Sequence, residues 1–418
     1  MKPIEVPVRV RGRTRWMVFD ERGERVPVMA RYADGRERLL WGGHWNSNLI
    51  TDQGLDAFAE TAWGWVGLAA ENPGSVRHYG RVGTGSTAPA FTDTTLVNQV
   101  DCSGTASPFD DNGFSASEDG TEITLECLRR VAFTMEQARN LTEYGFGATP
   151  GGEWQEQQGV SDEDACAGVG GSWGVLDTSS CMGSIVAGPN PKCWVWNDFN
   201  DIYVRELFRD SGGTPITIPV PAGRSLRIDH TYDITLDLSM QTGSFDVESY
   251  DVSDNLVGTD TIDYDARWWS RQTSSGTATE NGRHLAQALR VMPGNLHFST
   301  STVLLYSTTP NPDISTGTRL GFTPSGYSWA GTTQWPAGAT LANREYTPGS
   351  HERIYDITIS AAQGNFDWTG WGYRRNSTYD DQNNQGGGFI VAFRNSHAFT
   401  KADTHTLRWS IKWSWARA

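Results

Sequence analysis

The segment Thr406–Arg417 constrains this chain more than any other. Leu407, Trp409, Ile411, Trp413 and Trp415 occupy every second position, with Arg408 and Lys412 between them and Arg417 beyond. A helix would scatter these rings around its circumference, whereas a strand puts them all on one face. That face is apolar enough to require burial against a facing sheet. Burial of one Trp contributes about 2–4 kcal/mol at roughly 25 cal/mol per Å². The segment therefore reads as a core strand.

The same period recurs along the chain. From Val8 to Phe19, Arg9, Arg11, Arg13 and Arg15 fall on one face and Val8, Val10, Trp16 and Val18 on the other. Asp20-Glu21-Arg22-Gly23 reads as a turn, and Val26, Val28, Ala30 and Tyr32 as the return strand of a hairpin. The Arg row is either a solvated strand face or a docking face for an acidic surface. Further strand signals lie at 123–125, 216–220, 226–228, 234–238, 304–306, 354–359 and 389–393, separated by Gly, Pro, Asp and Ser clusters. Glycine reaches 46 of 418 residues, above the usual share of roughly 7%, as many turns require. Two segments change period. Asn48–Glu60 spaces Leu49, Leu55, Phe58 and Ala59 for a short amphipathic helix capped by Thr51 or Asp52, and Thr134–Asn140 has capping-box spacing from Thr134 to Gln137. The predicted class is mainly β, a β-sandwich or jelly-roll-like fold with one or two short helices and long loop insertions. Its expected parts are a hairpin region over 1–45, a sandwich core over 46–240 with insertions at 102–120 and 150–198, and a second β region over 241–418.

The formal charge is −15, from 34 basic and 49 acidic residues, so direct nucleic-acid binding is not expected without a local basic patch. Only four of the basic residues are Lys (Lys2, Lys192, Lys401 and Lys412), which reads as genome composition or as a bias toward bidentate subunit contacts. No window reaches the roughly 18 apolar residues of a membrane helix. The opening MKPIEVPVRVRGR is broken by Pro, Glu and Arg, so Sec export is not expected.

The chemistry-bearing residues form no recognised catalytic constellation. The eight His are scattered, and neither G-x-S-x-G nor H-E-x-x-H is present. Gly83-Thr84-Gly85 lacks the Lys of a phosphate loop and reads as a turn. Asp162-Glu163-Asp164 and Asp380-Asp381 read as solvated loop acids. Asp381, Asn383, Gln385 and Gly386 match the first half of a calcium loop, but Ala392 stands where the closing Glu belongs. Neither metal nor cofactor is expected. Trp368 and Trp371 suit stacking on a sugar, or packing in a core or an interface. The five cysteines, Cys102, Cys127, Cys166, Cys181 and Cys193, cannot all pair within one chain. Cys102 and Cys127 flank the first insertion; the other three lie in the second, without a nearby His or C-x-x-C for zinc. They are reduced thiols, or they oxidise outside the cell, one of them between subunits.

The segments NLITDQGLDAFAE (Asn48–Glu60) and YGRVGTGSTAPAFTDTTL (Tyr79–Leu96) resemble a pairing in structural proteins of tailed-phage virions. RNLTEYGFG (Arg139–Gly147), ELFRDSGGTPITIPVPAGRSLRIDHTYDITL (Glu206–Leu236) and FTKADTHTLRWSIKWSWAR (Phe399–Arg417) continue the likeness in order along much of the chain. The cysteine-bearing stretch 150–198 departs from it. The resemblance implies an accessory virion component of tail, tail fibre, neck or head surface, with no catalytic residues to carry over. It implies a homo-oligomer that docks on other virion proteins. Arg9, Arg11, Arg13, Arg15, Trp368 and Trp371 are the candidate interface residues. A host-glycan receptor-binding module, a capsid decoration protein and a polysaccharide depolymerase are the alternatives. Residue types in these segments suit fold-holding roles: Thr84, Gly85, Ser86 and Pro89 favour a rigid loop, Asp52 and Asp93 can accept backbone donors, and Leu55 and Leu96 supply packing.

Overall fold

The computed structural model describes residues 1–59, 79–105, 107–108, 113–116, 122–147, 151–177, 184–199, 201–237, 241–268, 301–306, 339–362, 367–375 and 389–418. The chain is mainly β, with several sheets and two short helices among the described residues. Its organising element is the strand Ile4–Phe19, whose buried residues alternate as the sequence predicts. Ile4, Val6, Val8, Val10, Trp16 and Val18 are all buried. One edge of this strand pairs antiparallel with Ser225–Asp237 from Val8↔Leu236 to Phe19↔Ser225. The other edge is shared in succession by three strands. Thr406–Arg417 runs parallel to Ile4–Val10, Asn46–Ile50 covers Gly12–Thr14, and Arg25–Val26 covers the last two residues.

The layers follow from that division. Glu122–Thr134 adds to Ser225–Asp237 over thirteen register pairs. The second layer starts at Asn46–Ile50 and continues through Ile202–Leu207, Glu143–Gly147, Tyr79–Gly83 and Gln99–Thr105. The two layers face one another closely. The Phe146 ring stacks on His230 at 4.8 Å, and a Cβ on Gly80 would stand 2.5 Å from Val131. A small sheet of Arg139–Leu141, Ile216–Val220, Val28–Tyr32 and Glu37–Leu40 closes one end, its inner face formed by Val28, Ala30, Tyr32, Ile216, Ile218 and Val220.

Strand pairing crosses position 240, where the sequence suggested a boundary. Thr406–Arg417 joins the opening strand on one edge and Glu352–Ile359 on the other, and its first residues also pair with the hairpin of Gln241–Tyr250 and Leu256–Trp268. Leu407, Trp409, Ile411, Trp413 and Trp415 are buried. The stretch 150–198 is more than a loop. Gly152–Glu156, Lys192–Asp198, Ser172–Asp177 and Ser184–Val186 form a sheet of their own, with the helix Glu163–Gly168 capped by Asp162. Strands Gln99–Thr105, Ser107–Pro108 and Gly113–Ala116 likewise occupy part of the other expected insertion.

The helix expectations need correction. Asp52–Ala59 is helical, and Thr51 caps it, its Oγ1 accepting from the Gly54 amide at 3.0 Å. Asn48 to Ile50, however, belong to the preceding strand, because Leu49 and Ile50 find ladder partners in Arg205 and Val204. Thr134–Asn140 forms no helix. Thr134 ends a strand, and the Met135 amide and carbonyl bond Arg224 and Gly223 across a turn, so tertiary pairing overrides the capping-box pattern.

Three hairpins close by one device. Asp20, Asp210 and Asp251 each accept the backbone amides two and four residues ahead. The fourth loop position then has positive φ, supplied by Gly23, Gly213 and Asp254. At the first two a glycine meets this at no steric cost.

Among the described residues, Trp409 is the largest fully buried side chain. Trp409→Ala is expected to lower the free energy of unfolding by about 3–5 kcal/mol, read from denaturant unfolding. A loss of about 1 kcal/mol or less would place the indole outside the core.

Candidate functional site

Half of the Arg row, Arg13 and Arg15, is spent within its own sheet. Antiparallel register sets Arg15 opposite Asp229 and Arg11 opposite Asp233, and puts Glu126 opposite Asp233 on the next strand. Arg13 reaches diagonally to both acids, bonding Asp233 through Nε at 2.5 Å and Glu126 through Nη2 at 3.0 Å. Arg15, Arg130 and Arg227 converge on the fully buried carboxylate of Asp229, at 2.8 Å each. Burial alone would raise the Asp229 pKa, but the hydrogen bonds from Arg227, Arg130 and Arg15 outweigh it and hold the carboxyl well below its ordinary value. The Arg15 guanidinium lies over the Trp45 ring, 4.6 Å from the ring centroid. Arg9 and Arg11 are exposed, whereas Arg13 and Arg15 are half-buried. Arg13 and Arg15 thus reach acids of their own sheet while remaining partly exposed. Their anions come from strands more than a hundred residues away, a pairing no local pattern reveals.

The residues singled out between Asn48 and Leu96 converge elsewhere, on a buried ion pair. Glu143 and Arg205 lie on the adjacent strands Glu143–Gly147 and Ile202–Leu207 and are fully buried. Arg205 Nε donates to Glu143 Oε2 at 3.0 Å, Nη1 to Asp93 at 2.6 Å and Nη2 to the Thr87 carbonyl at 2.9 Å. Glu143 in turn accepts the backbone amides of Gly85, Val97 and Asn98 at 3.0, 3.2 and 2.8 Å. Residues 84–98 thereby become a closed loop without helix or strand, of the Ω type. Its ends are joined by Thr84 N to Asn98 O at 2.9 Å. Gly83 and Gly85 let the loop approach, since a Cβ on either would stand 2.6 or 2.4 Å from Glu143.

Neighbouring segments fasten the loop from outside. The Asp52 amide donates to Phe91 O, and the Ile202 amide to Thr94 O. The Ala90 amide donates to Asp93 at 2.7 Å. Arg417 bonds Asp52 at 2.6 Å and lies 4.0 Å from the Phe91 centroid. Leu55 and Leu96 are buried beneath. Asp56 anchors the middle of the helix, accepting from Tyr346 and from the Gly349 amide at 2.9 Å. This arrangement fixes a loop in one shape and presents its outer residues. Sequence reasoning named Asp52, Asp93, Leu55 and Leu96 but missed Glu143 and Arg205, whose only local signal is a charged residue within an otherwise buried strand.

Between the layers lies a second polar group. Asn48 Nδ2 contacts both Thr14 Oγ1 and His230 Nδ1, the latter at 2.8 Å. Gly12 makes room for it, because a Cβ there would stand 1.7 Å from Asn48 Oδ1. Burial and then the Arg129 charge push the His230 pKa down to about 3, so the imidazole is neutral in the fold.

Cys166 and Cys193 form a disulfide that ties the helix Glu163–Gly168 to the strand Lys192–Asp198 across 27 residues, a loop closure worth about 3 kcal/mol. Cys102 is also disulfide-bonded. The Cys127 side chain and Cys181 lie outside the described residues, as do Asp380–Gly386. Trp368 and Trp371 belong to the strand Asp367–Arg375, but their side chains lie outside the described set. Among the described residues, no group of three or more His, Cys, Asp or Glu could hold a metal ion, and no helix is long and apolar enough to cross a membrane.

Glu143→Ala leaves Arg205 buried without its main anion, at an expected cost of about 3–5 kcal/mol. In Glu143→Ala/Arg205→Met the cost should fall below the sum of the singles by about 1 kcal/mol or more, and the Gly85 and Asn98 amides should lose hydrogen-exchange protection. Full additivity with retained protection would contradict the assignment. Acid should also act through His230. The unfolded chain takes up a proton near pH 6.5 that the native state refuses until about pH 3, so stability falls as pH drops through this interval, by up to about 1.4 kcal/mol per unit. Between about pH 6.5 and 4.5, above the carboxylate range, His230→Gln should flatten the decline in unfolding free energy measured by denaturant titration. An unchanged slope would show that His230 is not held neutral. No family model matches the chain, and neither does any curated protein or solved structure.

Proposed function

We propose that this chain is a structural component of a tailed-phage virion, acting by self-association and by docking to the tail, fibre, neck or collar. One observation carries the reading. The segments that resemble virion proteins, far apart in sequence, meet at one place: Asp52 and Leu55 from the first, the 84–98 loop from the second, Glu143 from the third, and Arg417 from the last. The Glu206–Leu236 segment begins immediately after Arg205 on the same strand. Their common product is a rigid exposed loop on a β scaffold, and a scaffold-held loop suits recognition by shape.

Mass spectrometry and cryo-EM of purified infectious particles test this reading. The chain is expected in fixed stoichiometry, with density at a tail, fibre, neck or collar position. Its absence from particles that retain infectivity would overturn the proposal. Binding to host glycan by the purified chain, with no place in the particle, would favour a receptor-binding module instead.

A further inference from the structure

We infer that residues 152–198 are a redox-gated module. Its core is the Cys166–Cys193 disulfide, and opening that one bond unfolds the module while the β scaffold stands. The switch is independent of the virion reading above. Three observations lead to it.

The first is attachment. The strands Glu143–Gly147 and Ile202–Leu207 are antiparallel neighbours, and Gly147 stands opposite Ile202 at their open end. A short turn would suffice to join them there. The stretch 152–198 stands in its place, with Gly152 opposite Asp198 and the Phe199 amide donating to the Gly151 carbonyl at 2.9 Å. Both ends of the module thus leave the scaffold at one point. Among the described residues, its strands Gly152–Glu156, Lys192–Asp198, Ser172–Asp177 and Ser184–Val186 pair only with one another. Unfolding between ends held so closely pulls no scaffold strand out of register.

The second is what the module buries. The apolar core of the chain includes Phe146 and Val204 but, among the described residues, none between them. Among the described side chains of 152–198, Cys166 and Cys193 alone are buried, at 0% and 1% exposure, whereas Trp154, Trp173 and Trp194 are half-buried. The disulfide seats against Gly171, where a Cβ would stand 2.7 Å from either sulfur. A unit this small without an apolar centre stands only when it is stapled.

The third is what remains once the bond opens. The helix Glu163–Gly168 has six residues, too few to persist alone. Lys192 and Glu156 pair at 2.7 Å on the surface, an interaction that contributes little. Neither replaces the staple.

Opening follows thiol–disulfide exchange. A dithiol attacks one sulfur as its thiolate, the S–S bond breaks, and the reagent's second thiol resolves the mixed disulfide. Cys166 and Cys193 take up two electrons and two protons, and the reagent leaves as its cyclic disulfide. Both sulfurs are buried, so attack follows opening of the module.

Hydrogen exchange of the full chain, read by mass spectrometry before and after dithiothreitol, tests the switch, with alkylation reporting which cysteines are reduced. Once Cys166 and Cys193 are reduced, amides of 152–198 are expected to exchange about 100-fold faster. Thr406–Arg417 and Ile202–Leu207 should keep their protection, and oxidised glutathione should restore that of the module. Cys166→Ser/Cys193→Ser, which leaves the bond at Cys102 in place, should show the same pattern without reductant. Unchanged exchange across 152–198 in the reduced wild type would overturn the inference. So would a double variant that protects 152–198 like the oxidised wild type, or scaffold strands that lose protection along with the module in both proteins.

Discussion

The strand Ile4–Phe19 pairs on both edges, with four different strands, and the rest of the structure depends on that fact. Ser225–Asp237 takes one side, while the closing strand, Asn46–Ile50 and Arg25–Val26 divide the other. A strand that must satisfy backbone groups toward four partners fixes the register of all four. A slip of one residue would turn Val6, Val8 and Val10 out to solvent and bring the Arg row into the core. The parallel pairing of Ile4–Val10 with Ile411–Arg417 also joins segments far apart in sequence, a non-local contact of the kind that slows folding.

Charged residues serve this fold as internal fasteners. Asp229 gathers three guanidiniums from three adjacent strands, and Glu143 with Arg205 gathers a loop. A buried ion pair contributes little net stability, since desolvation consumes most of the Coulombic gain, but it penalises every arrangement that leaves one partner alone. Such pairs specify shape.

Much of the fold was legible in sequence because strand period is local. The alternation in Thr406–Arg417 and in Val8–Phe19 predicts which residues are buried, and the structure buries them. A cap at Thr51 or Asp52 was equally legible, since a capping side chain acts within three residues, and the structure uses Thr51. Local signals failed where two readings competed. Leu49 and Ile50 fit an amphipathic helix until strand Ile202–Leu207 offers them a ladder, and the Thr134–Gln137 spacing is a capping box without a helix to cap. Around the cysteines, short strands with mixed burial gave no clean period, so a sheet resembled a loop.

By itself, then, the sequence determined a β architecture, its principal strands, their inward faces and the turn chemistry that separates them, because each of these follows from interactions across two to five residues. Only the tertiary structure decided what the charges do. Whether Arg13 meets solvent, a partner or Asp233 depends on a register set over 220 residues of chain, and Glu143 becomes the keystone of the 84–98 loop only when Arg205 lies on the adjacent strand. Period is a property of neighbours along the chain, whereas electrostatic partnership is a property of neighbours in space.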